Sequence, residues 1–177
     1  MIFAALPLAG AFVIDIEPHK DERGSFARTF CVRDFERAGL KADFVQNSLS
    51  HNARRGTLRG MHFQTPPHEE TKIVRCTRGA AYDVILDLRP DSPTWRRWTA
   101  VEITEANHRM VYIPEGFAHG FKTLVDDTVI EYQISAFHSP GSAAGVRWND
   151  PSFAIDWPAT PELVISPRDA AYPLTDG

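Results

Sequence analysis

The chain reads as an all-β protein, a jelly roll or small barrel. Beyond about residue 44 its apolar residues recur in short runs that alternate with polar ones, the spacing of half-buried strands. Turn-forming clusters, "RPDSPT", "EANH" and "VDDT", separate those runs at strand-length intervals. Thirteen prolines in 177 residues leave little room for long helices. The length suits one domain, residues 1–177, large enough to bury a core without staples.

Taken in order, "MIFAALPLAGAFVI" is apolar but has no basic residue ahead of its apolar part and no cleavage context. It reads as loop plus strand rather than signal peptide. "VRDFERAGL" predicts a helix that stops at Gly39. "LRGMHFQ" reads as a strand that carries Arg59, Gly60 and His62. In strict alternation Arg59 and His62 would face opposite ways, and Gly60 is where a bulge would bring both into one cavity. "TKIVRC" places Lys72 on a face with Val74 and Cys76, where a lysine is costly unless it meets an anion. "YDVILDLR" sets Tyr82, Val84 and Leu86 against Asp83, Ile85 and Asp87. "TAVEIT", "RMVYIP" and "TVIEYQIS" follow as strands, the last holding Tyr132 between Ile130 and Ile134. The proline-punctuated "NDPSFAIDWPATPELVISPRDAAYP" should wrap the sheet as loop and short helix. Trp95, Trp98, Trp148 and Trp157 are expected in core or subunit contacts.

Bulk properties exclude some partners. A net charge of −4 gives no reason to expect nucleic acid or an anionic membrane. No segment reaches the ~18 apolar residues of a membrane span. Two cysteines, Cys31 and Cys76, make no disulfide framework and suit a reducing, cytoplasmic setting.

Three chemistries fit the remaining polar residues. His62, His68, Glu69, Glu70 and His119 contain ligand types for a divalent ion, although glutamine at position 64 weakens that reading. Proton transfer without metal would use His62 as base, Tyr132 as acid and Lys72 beside a developing oxyanion. A module that only binds an anion or sugar would use Arg23, Arg59 and Arg75. Spacing leaves all three open. Asp83 could support His62 or His119 from a neighbouring strand, and His138 is a further candidate for base or sugar contact.

"GTLRGMHFQ", "KIVRCTRGAAYDVILDLRPDSPT", "VYIPEGFAHGFKTL" and "GVRWNDPSFAIDWP", with the early "DERGSF" and the late "ISPRD", resemble the dTDP-4-dehydrorhamnose 3,5-epimerase family. The likeness runs from about residue 12 to 172. It implies a cupin-type β jelly roll, a homodimer, a nucleoside-diphosphate 4-keto-6-deoxy sugar as substrate, and no metal or organic cofactor. By the same resemblance His62 is the base, Asp169 its orienting carboxylate, Tyr132 the acid on the opposite face, and Lys72 the cation beside the C4 oxygen. Substrate contacts are implied at Arg59 and His119, with Arg23 and Phe26 reaching a nucleotide across a subunit boundary; Gln46, His138 and Arg168 are further candidates for substrate contact. The chain departs from the family pattern at Arg28, Glu70, Phe137, His138 and Ala143. Those departures imply either a changed substrate, inversion of one carbon only, or rearranged contacts in an ordinary member.

Overall fold

The computed structural model describes residues 1–175. Its strands are β1 (Ile2–Ala5), β2 (Phe12–Asp15), β3 (His19–Asp21), β4 (Gly24–Phe26), β5 (Gln46–Asn52), β6 (Thr57–Gln64) and β7 (Lys72–Arg78). They continue as β8 (Ala80–Asp87), β9 (Trp98–Thr104), β10 (Met110–Ile113), β11 (Phe117–Thr123), β12 (Thr128–Ile134), β13 (Ala143–Gly145) and β14 (Val164–Ile165). Two short helices, α1 (Val32–Arg37) and α2 (Pro167–Ala170), lie at the periphery. Among the described residues no helix is long and apolar enough to cross a membrane.

One sheet runs β1-β2-β10-β7-β12-β5 and the other β13-β6-β11-β8-β9, with β14 parallel to β6. The remaining pairings within both sheets are antiparallel. This is the jelly roll that the strand pattern predicted. The alternation in β7, β8 and β12 decides how the sheets meet. Val74, Cys76 and Ile130 from the first sheet pack on Ala81, Ile85, Phe117 and Phe121 from the second, forming the central core. Lys72 and Tyr132 lie at even spacing along the same inward faces, so the pattern that builds the core also carries polar groups inward.

The outer faces are covered by the chain ends. Met61, Val84 and Leu86 back onto Val146, Phe153, Ile155 and Trp157 of the C-terminal wrap, as the sequence implied. Phe35 of α1, fully buried, anchors Phe3, Phe30, Phe44 and Tyr112 against the first sheet. That helix has no side-chain N-cap bond and is six residues long, so it is held by packing rather than by propensity. Gly39 follows it with φ +72, the left-handed position that ends the helix.

Two details differ from the sequence reading. The apolar N-terminus forms two strands, β1 and β2, because an intervening turn returns it onto its own edge. "HKDERGSF" forms the β3–β4 hairpin, which has no apolar alternation to announce it. Trp95 is half exposed and stacks under Arg96, outside the core of this chain, which leaves the subunit contact as its expected place.

Candidate active site

The polar cavity opens between the two sheets, where β6 and β11 of one face β5, β7 and β12 of the other. It measures about 370 Å³ and is lined by Gln46, Ser48, Ser50, Arg59, His62, Glu70, Lys72, His119, Phe121, Tyr132, Ile134 and His138. Eight of the residues singled out from the sequence are in that lining: Gln46, Arg59, His62, Glu70, Lys72, His119, Tyr132 and His138.

A bulge puts two of them on one wall. On β6 and β11, His62 pairs with His119 and Arg59 with Phe121, so Gly60 and Met61 together oppose the single Gly120. The extra residue reverses the alternation, and Arg59 and His62 face the cavity together. Only glycines fit this crossing. A Cβ on Gly60 would lie 2.5 Å from the Cα of Gly120, and the φ of +131 disfavours any side chain. The bulge also frees the Gly60 N–H, which donates to Oδ2 of Asp169 at 3.2 Å.

Asp169 reaches β6 from α2. Ser166 caps that turn by accepting the Asp169 N–H, and the Arg147 guanidinium donates twice to the Ala170 carbonyl. So held, Oδ1 of Asp169 sits 2.8 Å from Nε2 of His62. With Nε2 donating to the carboxylate, the lone pair of the neutral ring lies on Nδ1. Burial pushes the imidazole pKa below its ordinary value, against the pull of Asp169, so the ring is a free base at neutral pH.

His119 has its own carboxylate. Its Nε2 lies 2.7 Å from Oδ1 of Asp83, with both residues buried. The sequence left Asp83 between the two histidines; register decides for His119, because Asp83 and His119 come together on adjacent strands, β8 and β11. Tyr132 stands on the facing sheet, its ring 6.0 Å from that of His119. Burial, and then the negative charge of Asp83, hold the phenol protonated far into the alkaline range. A neutral imidazole and a protonated phenol thus belong to facing walls, the resting states of a base and an acid.

Other groups complete the walls. Arg59 donates through Nε to Oδ1 of Asn52 at 2.8 Å, leaving the rest of its fork for a ligand. A second cleft of about 440 Å³ shares Arg59 and His62 with the cavity and adds Ser166, Arg168 and Asp169. Two guanidiniums, Arg59 and Arg168, therefore line this cleft, a disposition suited to an anion. The Lys72 ammonium is 2.8 Å from Oε1 of Glu70. The His138 N–H donates to the Gln46 side chain.

Arg23 and Phe26 are not brought to this cavity. They sit on the β3–β4 hairpin with the Arg23 side chain 85% exposed and Phe26 74% exposed, and among the described residues Arg23 pairs only with Asp21. His68 and Glu69 stay outside the lining, and among the described residues no three His, Cys, Asp or Glu side chains converge as ion ligands. Ser48 and Ser50 were missed, although alternation through "QNSLSHN" already placed them with Gln46. Cys76, its thiol pushed up to about 11 by burial, is an unreactive core residue.

Comparison with known proteins decides the family. The model of the dTDP-4-dehydrorhamnose 3,5-epimerase family matches residues 5–176. The chain belongs to that family. A dTDP-4-dehydrorhamnose 3,5-epimerase from Sinorhizobium fredii is 39% identical over 98% of this chain and 89% of its own. The crystal structure of the Bacillus anthracis dTDP-4-dehydrorhamnose 3,5-epimerase, with TDP and PPi bound, superposes with a TM-score of 0.94 at 38% identity, covering 98% of this chain and 99% of that one. The dTDP-6-deoxy-D-glucose-3,5-epimerase of Legionella pneumophila, in complex with dTDP-4-keto-L-rhamnose, gives 0.92 at 33% identity over 98% and 92% of the two chains.

Proposed function

We propose that the chain is an epimerase of nucleoside-diphosphate 4-keto-6-deoxyhexoses, acting through proton removal and return beside the C4 ketone. One observation supports this beyond family membership: an imidazole and a phenol stand on facing walls of one cavity, with the Lys72 ammonium in the same lining. Inversion needs that division, since a proton returned to the face it left changes nothing.

In this mechanism Nδ1 of His62 takes the proton from C3 or C5, and Asp169 stabilises the resulting imidazolium. The electron pair of the broken C–H bond moves to the C4 oxygen, where the Lys72 ammonium meets the enolate charge. The Tyr132 hydroxyl delivers a proton to the opposite face of the same carbon as the C4 carbonyl re-forms. Solvent then restores the phenol and takes the proton from His62. Phe121 and Ile134 offer an apolar wall for the sugar's methyl group, while Arg59 and Arg168 hold the diphosphate.

Two finer points belong to the same proposal. The active form is a homodimer, in which the exposed hairpin carrying Arg23 and Phe26 reaches the partner's nucleotide. The outer face of the first sheet supports this, since it carries Leu49, 65% exposed, beside Arg75 and Glu131 in an open groove of about 450 Å³. Sedimentation of the full chain should give twice the monomer mass, and a monomer would remove this point.

Incubation with dTDP-4-keto-6-deoxyglucose in heavy water tests the activity. Mass spectrometry should show two deuteriums gained for inversion at both carbons and one for a single carbon. No gain, with thymidine, uridine and guanosine diphosphate sugars alike, would refute the epimerase.

A further inference from the structure

One largely enclosed group in the cavity is not used by the acid–base chemistry. Glu70 directly precedes Thr71 and β7, and its Oε1 is 2.8 Å from the Lys72 ammonium, with the two side chains 12% and 10% exposed. Both line the cavity. His62 already has Asp169 as its carboxylate and His119 has Asp83, so neither imidazole needs Glu70. Among the described residues the carboxylate has no bonded partner but Lys72.

Such a carboxylate is a handicap to the reaction unless it binds something. Its negative charge opposes the field that Lys72 directs at the C4 oxygen, weakening stabilisation of the enolate. A compensating role must be paid by the substrate, and the chemistry of the ring says where. The carbons beside C4 are C5, which bears a methyl group, and C3, which bears a hydroxyl. Only C3 offers a donor within reach of a group placed next to the C4 oxygen.

We propose that Glu70 accepts a hydrogen bond from the substituent at C3 and makes the enzyme select sugars that carry a donor there. This rests on the reading that Lys72 attends the C4 oxygen. A sugar with hydrogen at C3 would leave a desolvated carboxylate without its second partner, and sites built to bond a hydroxyl reject analogues that lack it. The result is specificity at the carbon next to the reacting ketone, set by a residue that takes no part in moving the proton.

The test compares dTDP-4-keto-6-deoxyglucose with its 3-deoxy counterpart, using wild-type protein, Glu70→Gln, Glu70→Ala and Lys72→Ala. Deuterium uptake at C5 gives kcat/KM, and calorimetry gives Kd for both sugars. Wild type should prefer the 3-hydroxy sugar by about 10²-fold, in line with a charge-assisted bond. Glu70→Ala should bring that preference below about tenfold, and Glu70→Gln, which keeps a carbonyl acceptor, should fall between. Lys72→Ala should slow both sugars alike and leave the preference in place. A preference unchanged in Glu70→Ala would overturn the proposal and leave Glu70 as a tether for Lys72 alone. If wild type exchanges neither sugar, the epimerase reading fails, and the ratio of the two Kd values still decides for or against Glu70. Binding of neither sugar would remove both.

Discussion

Asp83 and Asp87 lie on the same face of β8 and both are sealed from solvent, yet the molecule treats them oppositely. Asp87, at the closed end, accepts from the Arg89 backbone and guanidinium, from Ser92 and from Thr94. Burial alone would raise its pKa, but these donors outweigh burial and hold it at about 2. Asp83, behind the cavity-lining His119, has that imidazole as its one side-chain partner among the described residues, and its Oδ2 has none. A saturated carboxylate is spent on stability. An under-bonded one keeps its charge available to its neighbours, here the Tyr132 phenol, and that is what a site needs.

The sharpest break comes from the base. His62→Ala should lower deuterium uptake by about 10²- to 10⁴-fold with unfolding temperature little changed. Residual exchange at half the original rate would remove His62 from its role. Tyr132→Phe should reduce epimerised product by about 10²-fold while slowing loss of the first substrate proton far less. Equal loss in both measurements would mean that Tyr132 shapes the cavity without donating a proton.

The two aspartates can be compared directly. Asp87→Ala should destabilise the fold by about 3 kcal/mol, because it removes the buried acceptor shared by Arg89, Ser92 and Thr94, while activity per folded molecule holds. Asp83→Asn should do the reverse, lowering activity by an order of magnitude or so with a small change in melting temperature. If both variants lose stability equally and keep activity, the contrast fails.

The pH dependence is milder and separates the regions again. In the proposed mechanism His62 works unprotonated, and burial sets its pKa below 6.5, so exchange should decline only on the acid side of that value. Asp87 has its pKa depressed from 3.8 to about 2 in the fold, so its contribution to stability is complete above the unfolded value and disappears as pH falls towards 2. Activity should therefore fail well before the fold does. The smallest effect is expected at the exposed Arg54–Glu162 pair, where Arg54→Ala should shift stability by about 0.5 kcal/mol or less.

Alternation along single strands, visible in the sequence, determined which residues turn inward: Lys72 with Val74 and Cys76, Tyr132 with Ile130 and Ile134. It also marked Gly60 as the point where a strand could change its facing, and ordered sequence blocks supplied the family. Register across strands decided the rest. That His119 meets Asp83 and that Asp169 reaches His62 from a helix more than a hundred residues away depend on which backbones lie side by side. Period-two spacing fixes the face on which a side chain stands, while its partner is chosen by the packing of the whole sandwich.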